Sequence, residues 1–401
     1  MPLTPDQDFK LRSVAPTVFL PTALFGIGSG AIAPVIVLSA LDLGASVGTA
    51  SLIVALIGIG QLLGDLPAGG FAAKVGDRRA MLLAVVLIAA ALVGCVAATE
   101  VWMLGISIAV LGMASAVWGI ARHTYLTEVV PYHKRARAMS TLGGTHRIGM
   151  FIGPFLGAAV MQWWGNAGPF WIYLGSAVAA GALVAILPDP DTGPRSTTDT
   201  GSVAETFRVL RQNVPVFRTL GTGAMLVGAV RASRQVVIPL WAEQIGLDAV
   251  TTSVIFGLAG AIDMLLFYPA GKLMDRFGRA FVAIPCMVIM GVAHLLLPLT
   301  VDGWSLLAVA LLMGFGNGMG SGIIMTLGSD ASPAVGRSAF LGGWRLCADL
   351  GNASGPVLIS AITVAAALGP AILAMGAVGF LGAGAMAKWI PKRQPEPAQP
   401  S

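Results

Sequence analysis

The chain has 401 residues, of which 56% are hydrophobic and 11% are charged, whereas about 25% of the residues of a soluble domain are charged. This composition excludes a water-soluble globular fold of this length. The formal net charge is +5, with 24 Lys and Arg against 19 Asp and Glu. Because the cationic residues cluster on one side of the predicted membrane spans, this charge indicates topology and gives no support to nucleic-acid binding.

Apolar runs long enough to cross a bilayer follow one another along the chain. Crossing about 30 Å of hydrocarbon takes roughly 20 helical residues. We therefore predict an all-α integral membrane protein with twelve transmembrane helices in two pseudo-symmetric six-helix bundles. The predicted spans 1 to 12 are 17–40, 48–72, 79–98, 102–126, 138–161, 169–187, 218–241, 250–273, 280–299, 304–327, 338–364 and 368–388.

The loops between the spans differ in charge from one side of the membrane to the other. The loops after spans 1, 3, 5, 7, 9 and 11 contain no Lys or Arg, whereas the opposite side is rich in both. By the positive-inside rule, both termini are cytoplasmic. We expect a multi-pass protein of the cell's inner (plasma) membrane, and a monomer.

Composition also predicts the domain boundaries. These are a cytoplasmic tail (1–16), a first bundle (17–187), a linker (188–217), a second bundle (218–388) and a disordered tail (389–401). The linker is rich in Pro, Asp, Gly, Ser and Thr, which cannot pack a core. Its later part has a helical period and predicts a short helix at the inner membrane surface, with one apolar side formed by Val203, Phe207, Leu210 and Val214.

The two halves repeat each other at a constant offset of 202 residues. GGFAAKVGDRR from Gly69 recurs as GKLMDRFGR from Gly271, and GMFIGP from Gly149 recurs as GNASGP from Gly351. The identities concentrate in Gly and Pro, whose backbone geometry other residues do not copy. The chain is therefore a duplicated membrane half.

These motifs resemble the major facilitator superfamily. The loop motif holds Gly271, Asp275, Arg276 and Arg279. Span 5 is similar to the antiporter motif of drug and metabolite exporters in Gly149, Gly153, Pro154 and Gly157, with Gly351, Gly355 and Pro356 as the counterparts in span 11. The resemblance implies alternating access around a central cavity lined by spans 1, 4, 7 and 10.

Two positions depart from the family pattern. The first copy of the loop motif has Ala73 at its acidic position, and span 4 has Ile108 where the family's arginine motif would place an Arg. The proton-coupling residues must therefore be argued from this chain.

Each motif has a functional and a structural interpretation. Asp275 is placed to hold the inner side shut through a helix N-terminus or an arginine, whereas Arg276 and Arg279 can simply anchor the loop to lipid phosphates. The glycines of span 5 form a small-xxx-small stripe, which permits close helix packing and needs no further role.

Charges embedded in the predicted spans are the strongest functional signal, because a charge at a helix centre costs about 2.5–3.5 kcal/mol even on lenient scales. We counted how many residues separate each embedded charge from the cytoplasmic end of its span. Together with the family resemblance, these depths predict two contacts between the halves. Arg147 would meet Asp263, and Asp65 would meet Arg345 as an inner gate. In the alternative, Arg345 pairs within its own helix with Asp349, four residues on. Asp263, Asp349 and Asp65 are the candidates for proton coupling.

Arg231 and Arg234 lie three residues apart and share a face of span 7. Either they bind an anionic substrate group, or one of them neutralises Asp263. The predicted substrate cavity consists of Arg231, Arg234, Gln235, Asn317 and Trp118.

The sequence contains no nucleophile–base pair, metal-ligand spacing or phosphate loop, so we expect a transporter, with no cofactor and driven by a proton gradient. The leading hypothesis is proton-coupled export of small amphipathic compounds. The alternative is a symporter that imports a small anionic metabolite, and a sensor or scaffold without transport ranks below both. The expected partners are the lipid bilayer, protons and a small-molecule substrate.

Overall fold

The computed structural model describes residues 15–186, 203–333 and 335–391, and these residues form helices joined by short turns. The first half contains α1 (Leu20–Ile32), α2 (Val35–Asp42), α3 (Val47–Val75), α4 (Asp77–Ala97), α5 (Val101–Val129), α6 (Tyr132–Trp164) and α7 (Gly168–Ile186). The second half follows with α8 (Val203–Gln212), α9 (Val214–Val216), α10 (Thr222–Gln244), α11 (Ala249–Phe277), α12 (Arg279–Leu296), α13 (Gly303–Met319), α14 (Ile323–Ala331), α15 (Arg337–Ala365) and α16 (Leu368–Trp389).

Among the described residues, nine stretches are long and apolar enough to cross a membrane. The charged helices α10 and α15 are not in this set, so the count of twelve spans stays a prediction. Most of the predicted linker and tails, at 1–14, 187–202 and 392–401, lies outside the described residues. Following the predicted orientation, the inner end of the bundle is the end where the described chain begins, at Ala15, and ends, at Pro391.

Two predicted spans are broken in the structure. Span 1 divides into α1 and α2 at Pro34, which has no backbone N–H to continue a hydrogen-bonded helix. Span 10 divides into α13 and α14 at Gly322, whose φ of +82° favours glycine. Neither break was predicted, because the apolar pattern continues across both.

The duplication extends to the turns and helix caps. Gly76, between α3 and α4, has φ +86°, and its counterpart Gly278 has φ +90°. Ser46 caps α3 by accepting a hydrogen bond from the N–H of Thr49, and the side chain of Asp248 caps α11 in the same way. The two halves therefore share one backbone design.

The glycines of the antiporter-like motif in α6, and those of its counterpart in α15, are points of close contact between helices. A Cβ at Gly153 of α6 would lie 2.3 Å from the carbonyl oxygen of Ile27 on α1, and one at Gly355 of α15 would lie 2.3 Å from that of Ala229 on α10. Gly149 and Gly351 repeat the pattern. The packing interpretation of this stripe is confirmed. Pro154 and Pro356 lie inside α6 and α15 without interrupting them.

The halves meet along two seams, where α3 packs on α15 and α6 packs on α11. The first seam reaches the outer end, where Ser360 Oγ donates a 2.7 Å hydrogen bond to the carbonyl oxygen of Gly48. Also at the outer end, α2 contacts α10. These contacts hold the halves together on the side away from the termini.

The helix predicted in the later part of the linker is present as α8, and its buried side includes Val209, which the prediction did not name. Val209 is buried, and it lies against Gly336 at the start of α15, while Leu210 lies against Gly343. Val214 is exposed. The helix therefore packs on the beginning of α15.

We expect Gly153→Ala to destabilise the protein by about 1–3 kcal/mol, because the new methyl group would overlap the α1 backbone. Gly144→Ala is the matched control on the same helix, since no atom lies within 4 Å of its added Cβ. Thermal unfolding of the purified variants in detergent measures the difference. Equal midpoints for the two variants would contradict the close-contact role of Gly153.

Candidate functional site

A central cluster surrounds the carboxylate of Asp263 on α11. Its Oδ1 lies 3.3 Å from Nη1 of Arg147 on α6, and its Oδ2 lies 3.5 Å from Nη2 of Arg234 on α10. Asn317 Nδ2 donates a hydrogen bond to Oδ2, and Ser321 Oγ lies 3.4 Å from Oδ1. The contact predicted between Arg147 and Asp263 is therefore present, and it joins the two halves.

Close packing of α13 on α11 brings the polar groups to this carboxylate. A Cβ at Gly318 would lie 2.9 Å from the Cα of Asp263, so only glycine permits this approach. The preceding residue, Asn317, then faces the carboxylate. The glycine-rich packing of span 10 thus positions Asn317, which the sequence predicted in the substrate cavity.

Arg231 contacts the cluster indirectly. Its Nε donates a 2.7 Å hydrogen bond to Asn317 Oδ1, and its Nη2 donates a 3.2 Å bond to the Asn317 carbonyl oxygen near the end of α13. These bonds orient the amide so that Nδ2 faces Asp263. The alternative in which one arginine of span 7 pairs with Asp263 is confirmed for Arg234. Gln235 follows on the same helix and is partly exposed.

The cluster carries more positive than negative charge. Three guanidinium groups, those of Arg147, Arg231 and Arg234, surround a single carboxylate. The side chains of Arg234 and Asp263 are only 12% and 13% exposed, and Nε and Nη1 of Arg234 are buried with no hydrogen-bond partner among the described residues. Unpaired buried donors on a cation are costly. An anionic group would satisfy them.

Aromatic rings lie beside two of these cations. The guanidinium carbon of Arg147 is 4.6 Å from the ring centre of Phe267, and that of Arg234 is 5.8 Å from the ring centre of Phe256. Cation–π attraction of this kind contributes about 0.5–2 kcal/mol. The rings give the cluster an apolar border suited to amphipathic compounds.

A second charged cluster lies on the seam between α3 and α15. Arg345 Nη2 lies 3.4 Å from Asp65 Oδ1, and its Nε lies 3.4 Å from Asp349 Oδ2. The contact between the halves and the pair within one helix, predicted as alternatives, therefore coexist. The Arg345 side chain is 49% exposed, so water screens both pairs. Their role as a gate stays a prediction.

The inner loop motif uses a partner that the sequence did not single out. Arg279 Nε lies 2.8 Å from Asp330 Oδ2 at the end of α14. Asp275 is 83% exposed and lies 3.9 Å from Arg279 Nη1. The Arg276 guanidinium lies over the ring of Phe277. Asp330 rather than Asp275 is thus the closer partner of Arg279.

Trp118 was predicted to line the cavity, but the structure places it in the core of the first half. Its side chain is 1% exposed and stacks on Phe25, with ring centres 5.5 Å apart. One helical turn further along α5 lies Arg122, an embedded cation that the sequence analysis missed. Its Nη1 donates a 3.2 Å hydrogen bond to Thr22 Oγ1. Its position as a charged residue inside the predicted span 102–126 could have identified Arg122 from the sequence.

Comparisons with known proteins agree with this architecture. The family model of the Major Facilitator Superfamily matches residues 18–335 and 264–401. An uncharacterized MFS-type transporter, YhjO of Bacillus subtilis (strain 168), is 24% identical over 361 residues, with 88% of each chain covered. A multi-drug resistance efflux pump PmrA homolog of Lactococcus lactis subsp. lactis (strain IL1403) is 25% identical over 301 residues, with 73% of each chain covered.

Solved structures share the fold at low sequence identity. A D-xylose-proton symporter aligns with TM-score 0.72 and 18% identity, over 95% of this chain and 98% of the other. The human organic anion transporter MFSD10 (TETRAN) aligns with TM-score 0.70 and 15% identity, over 94% and 100%. At this identity the likeness shows the fold alone.

We expect Arg345→Gln to destabilise the protein more than Asp65→Asn, because it leaves two carboxylates without their shared guanidinium. For a partly exposed pair, the coupling energy should be about 0.2–1 kcal/mol. The swap Asp65→Arg with Arg345→Asp should restore stability only in part, since the new Asp would lie four residues from Asp349. Thermal unfolding in a double-mutant cycle measures this, with the exposed Lys388→Gln as the control. Strict additivity would rule out the pair.

Proposed function

Because this chain belongs to the Major Facilitator Superfamily, it is a membrane transporter and not an enzyme, and we propose that it moves small amphipathic organic anions together with protons. The transport is secondary and active, by alternating access, and needs no cofactor beyond the proton gradient. The observation that supports this proposal is the excess of positive charge around the shared carboxylate of Asp263.

Asp263 links the proton to the substrate. Protonation removes the negative charge that both Arg147 and Arg234 contact, so their guanidinium groups become available to an anionic substrate. Conversely, a bound anion competes for the same donors and so favours the proton on Asp263. Proton and anion therefore promote each other's binding, which is the reciprocal linkage that a symporter requires.

Proton-coupled export of amphipathic compounds is the second candidate. It is favoured by the antiporter-like stripe of α6 and by the similarity to an efflux pump homolog. Antiport requires proton and substrate to compete for one site, as when a cationic compound pairs with Asp263. The surrounding guanidinium groups repel such a compound, so the geometry favours the anion.

A charge-balance experiment tests the proposal. One proton moving with a monoanion carries no net charge. Reconstituted protein should therefore accumulate naphthalene-2-sulfonate about tenfold per unit of imposed pH gradient and should not respond to a potassium diffusion potential. Liposomes without protein are the control. Sulfonate movement against the direction of proton flow would contradict symport and support antiport.

We expect Asp263→Asn to abolish accumulation driven by the pH gradient while sulfonate exchange at equal pH continues. Asn cannot release a proton, but it leaves the arginines free to hold the anion. Asp302→Asn is the matched control, since this exposed helix cap lies in an outer loop and Asn caps equally well. If the Asp263 variant still concentrates the sulfonate, Asp263 is not the coupling residue, and Asp349 or Asp65 becomes the candidate.

A further inference from the structure

Arg122 is a cation of the first half that has no carboxylate partner among the described residues. Its Nη1 donates to Thr22 Oγ1 at 3.2 Å, while its Nε is buried without a hydrogen-bond partner. The side chain as a whole remains partly exposed. An embedded guanidinium without a counter-charge is costly to a membrane protein. Its presence indicates a ligand that supplies the missing charge.

The groups around Arg122 are cationic or neutral. His146 on α6 and His123 on α5 both lie within electrostatic reach of it, as does the hydroxyl of Tyr173. The Nδ1 of His146 is also buried without a hydrogen-bond partner, and so is the indole N–H of Trp118, one turn away on α5. Several nitrogen atoms without a hydrogen-bond partner among the described residues thus lie on the neighbouring helices α5 and α6.

The internal duplication shows that the fold does not require this set. At the offset of 202 residues, the second half has apolar residues in place of all three polar ones. Arg122, Thr22 and His146 correspond to Ile324, Ala224 and Ala348. The second half therefore folds with apolar residues at these three positions, although its counterpart of α5 is broken at Gly322.

The set lies between the central cluster and the inner end of the bundle. Arg122 is seven residues before the end of α5 at Val129. On α6, His146 directly precedes Arg147, which contacts Asp263. A substrate that enters or leaves at the inner end would therefore meet Arg122 next to the central cluster.

We propose that Arg122, Thr22 and His146 form a second anion site, which binds the carboxylate, sulfonate or phosphate group of the transported compound on the inner side of the central cluster. This inference rests on the proposed transport of organic anions. The guanidinium supplies the charge, Thr22 orients its Nη1, and the unpartnered Nε donates to the anion, with the imidazole of His146 beside it.

Binding of naphthalene-2-sulfonate to the purified protein, measured by calorimetry, tests this site. The wild-type protein should bind two sulfonates per chain. Arg122→Gln should lose one site, or weaken it about ten- to hundredfold, as expected for a lost hydrogen bond to a charged group. Arg234→Gln should lose the other. The neutral 2-naphthalenesulfonamide should bind both variants as it binds the wild type, and the exposed Arg137→Gln should behave as the wild type.

Two milder variants keep the test decisive if Arg122→Gln does not fold. Arg122→Lys retains the charge but loses the planar fork, and Thr22→Val removes the hydroxyl that Nη1 contacts. Each should weaken one of the two sulfonate sites and leave the other unchanged. Wild-type affinities at both sites in the folded Arg122 variants would overturn the inference, as would the absence of sulfonate binding to the wild type. Failure of the proposed transport can be distinguished from failure of this site. In that case, liposomes that contain the wild-type protein would take up no sulfonate.

Discussion

The ion pairs of Asp263 connect the two halves and orient the helices of the second half around one point. Arg147 reaches the carboxylate from α6, while Arg234 and Asn317 reach it from α10 and α13. In a medium of low polarity an unpaired charge is expensive, so these groups constrain one another strongly. On the proposed mechanism, a single proton on Asp263 would weaken both ion pairs at once.

The duplicated backbone and the unduplicated charges have different roles. Glycines, prolines and caps recur at a constant offset because they define how helices turn and approach one another. The central charges do not recur: Arg231, Arg234 and Asp263 correspond to Ser29, Ile32 and Gln61. Features that both halves share therefore indicate what the fold requires. Residues that occur in only one half indicate what the function adds. By this reasoning, Arg231, Arg234 and Asp263 are additions of the second half, and the Arg122 set is an addition of the first.

Much of the fold and part of the site followed from the sequence. The family resemblance implied which helices meet, and the depth of each charge in its span then predicted the contacts Arg147–Asp263 and Asp65–Arg345, because each helical residue advances 1.5 Å and embedded charges need partners at their own level. The helix breaks at Pro34 and Gly322 were missed, since side-chain apolarity does not report on backbone hydrogen bonds.

Other details depend on packing that periodicity does not encode. The partner of Arg279 lies 51 residues away, at Asp330, and depends on the path of a connection between helices. Trp118 was expected in the cavity because span 4 lines it in the family. Its stacking on Phe25 depends instead on how α5 is rotated about its own axis. The apolar periodicity of α5 is too weak to predict that rotation.

The contacts of Arg147 indicate how the central cluster can change without a large energetic penalty. When Asp263 is protonated, Arg147 loses its ion pair but keeps the ring of Phe267 at 4.6 Å, an interaction of about 0.5–2 kcal/mol. Asn317, held by two bonds from Arg231, keeps its orientation. On the proposed mechanism, protonation thus weakens one ion pair between the halves and one within the second half, while the bonds from Arg231 to Asn317 stay fixed. A transporter needs this division, because its conformations must differ by only a few kcal/mol for a ligand to shift their populations.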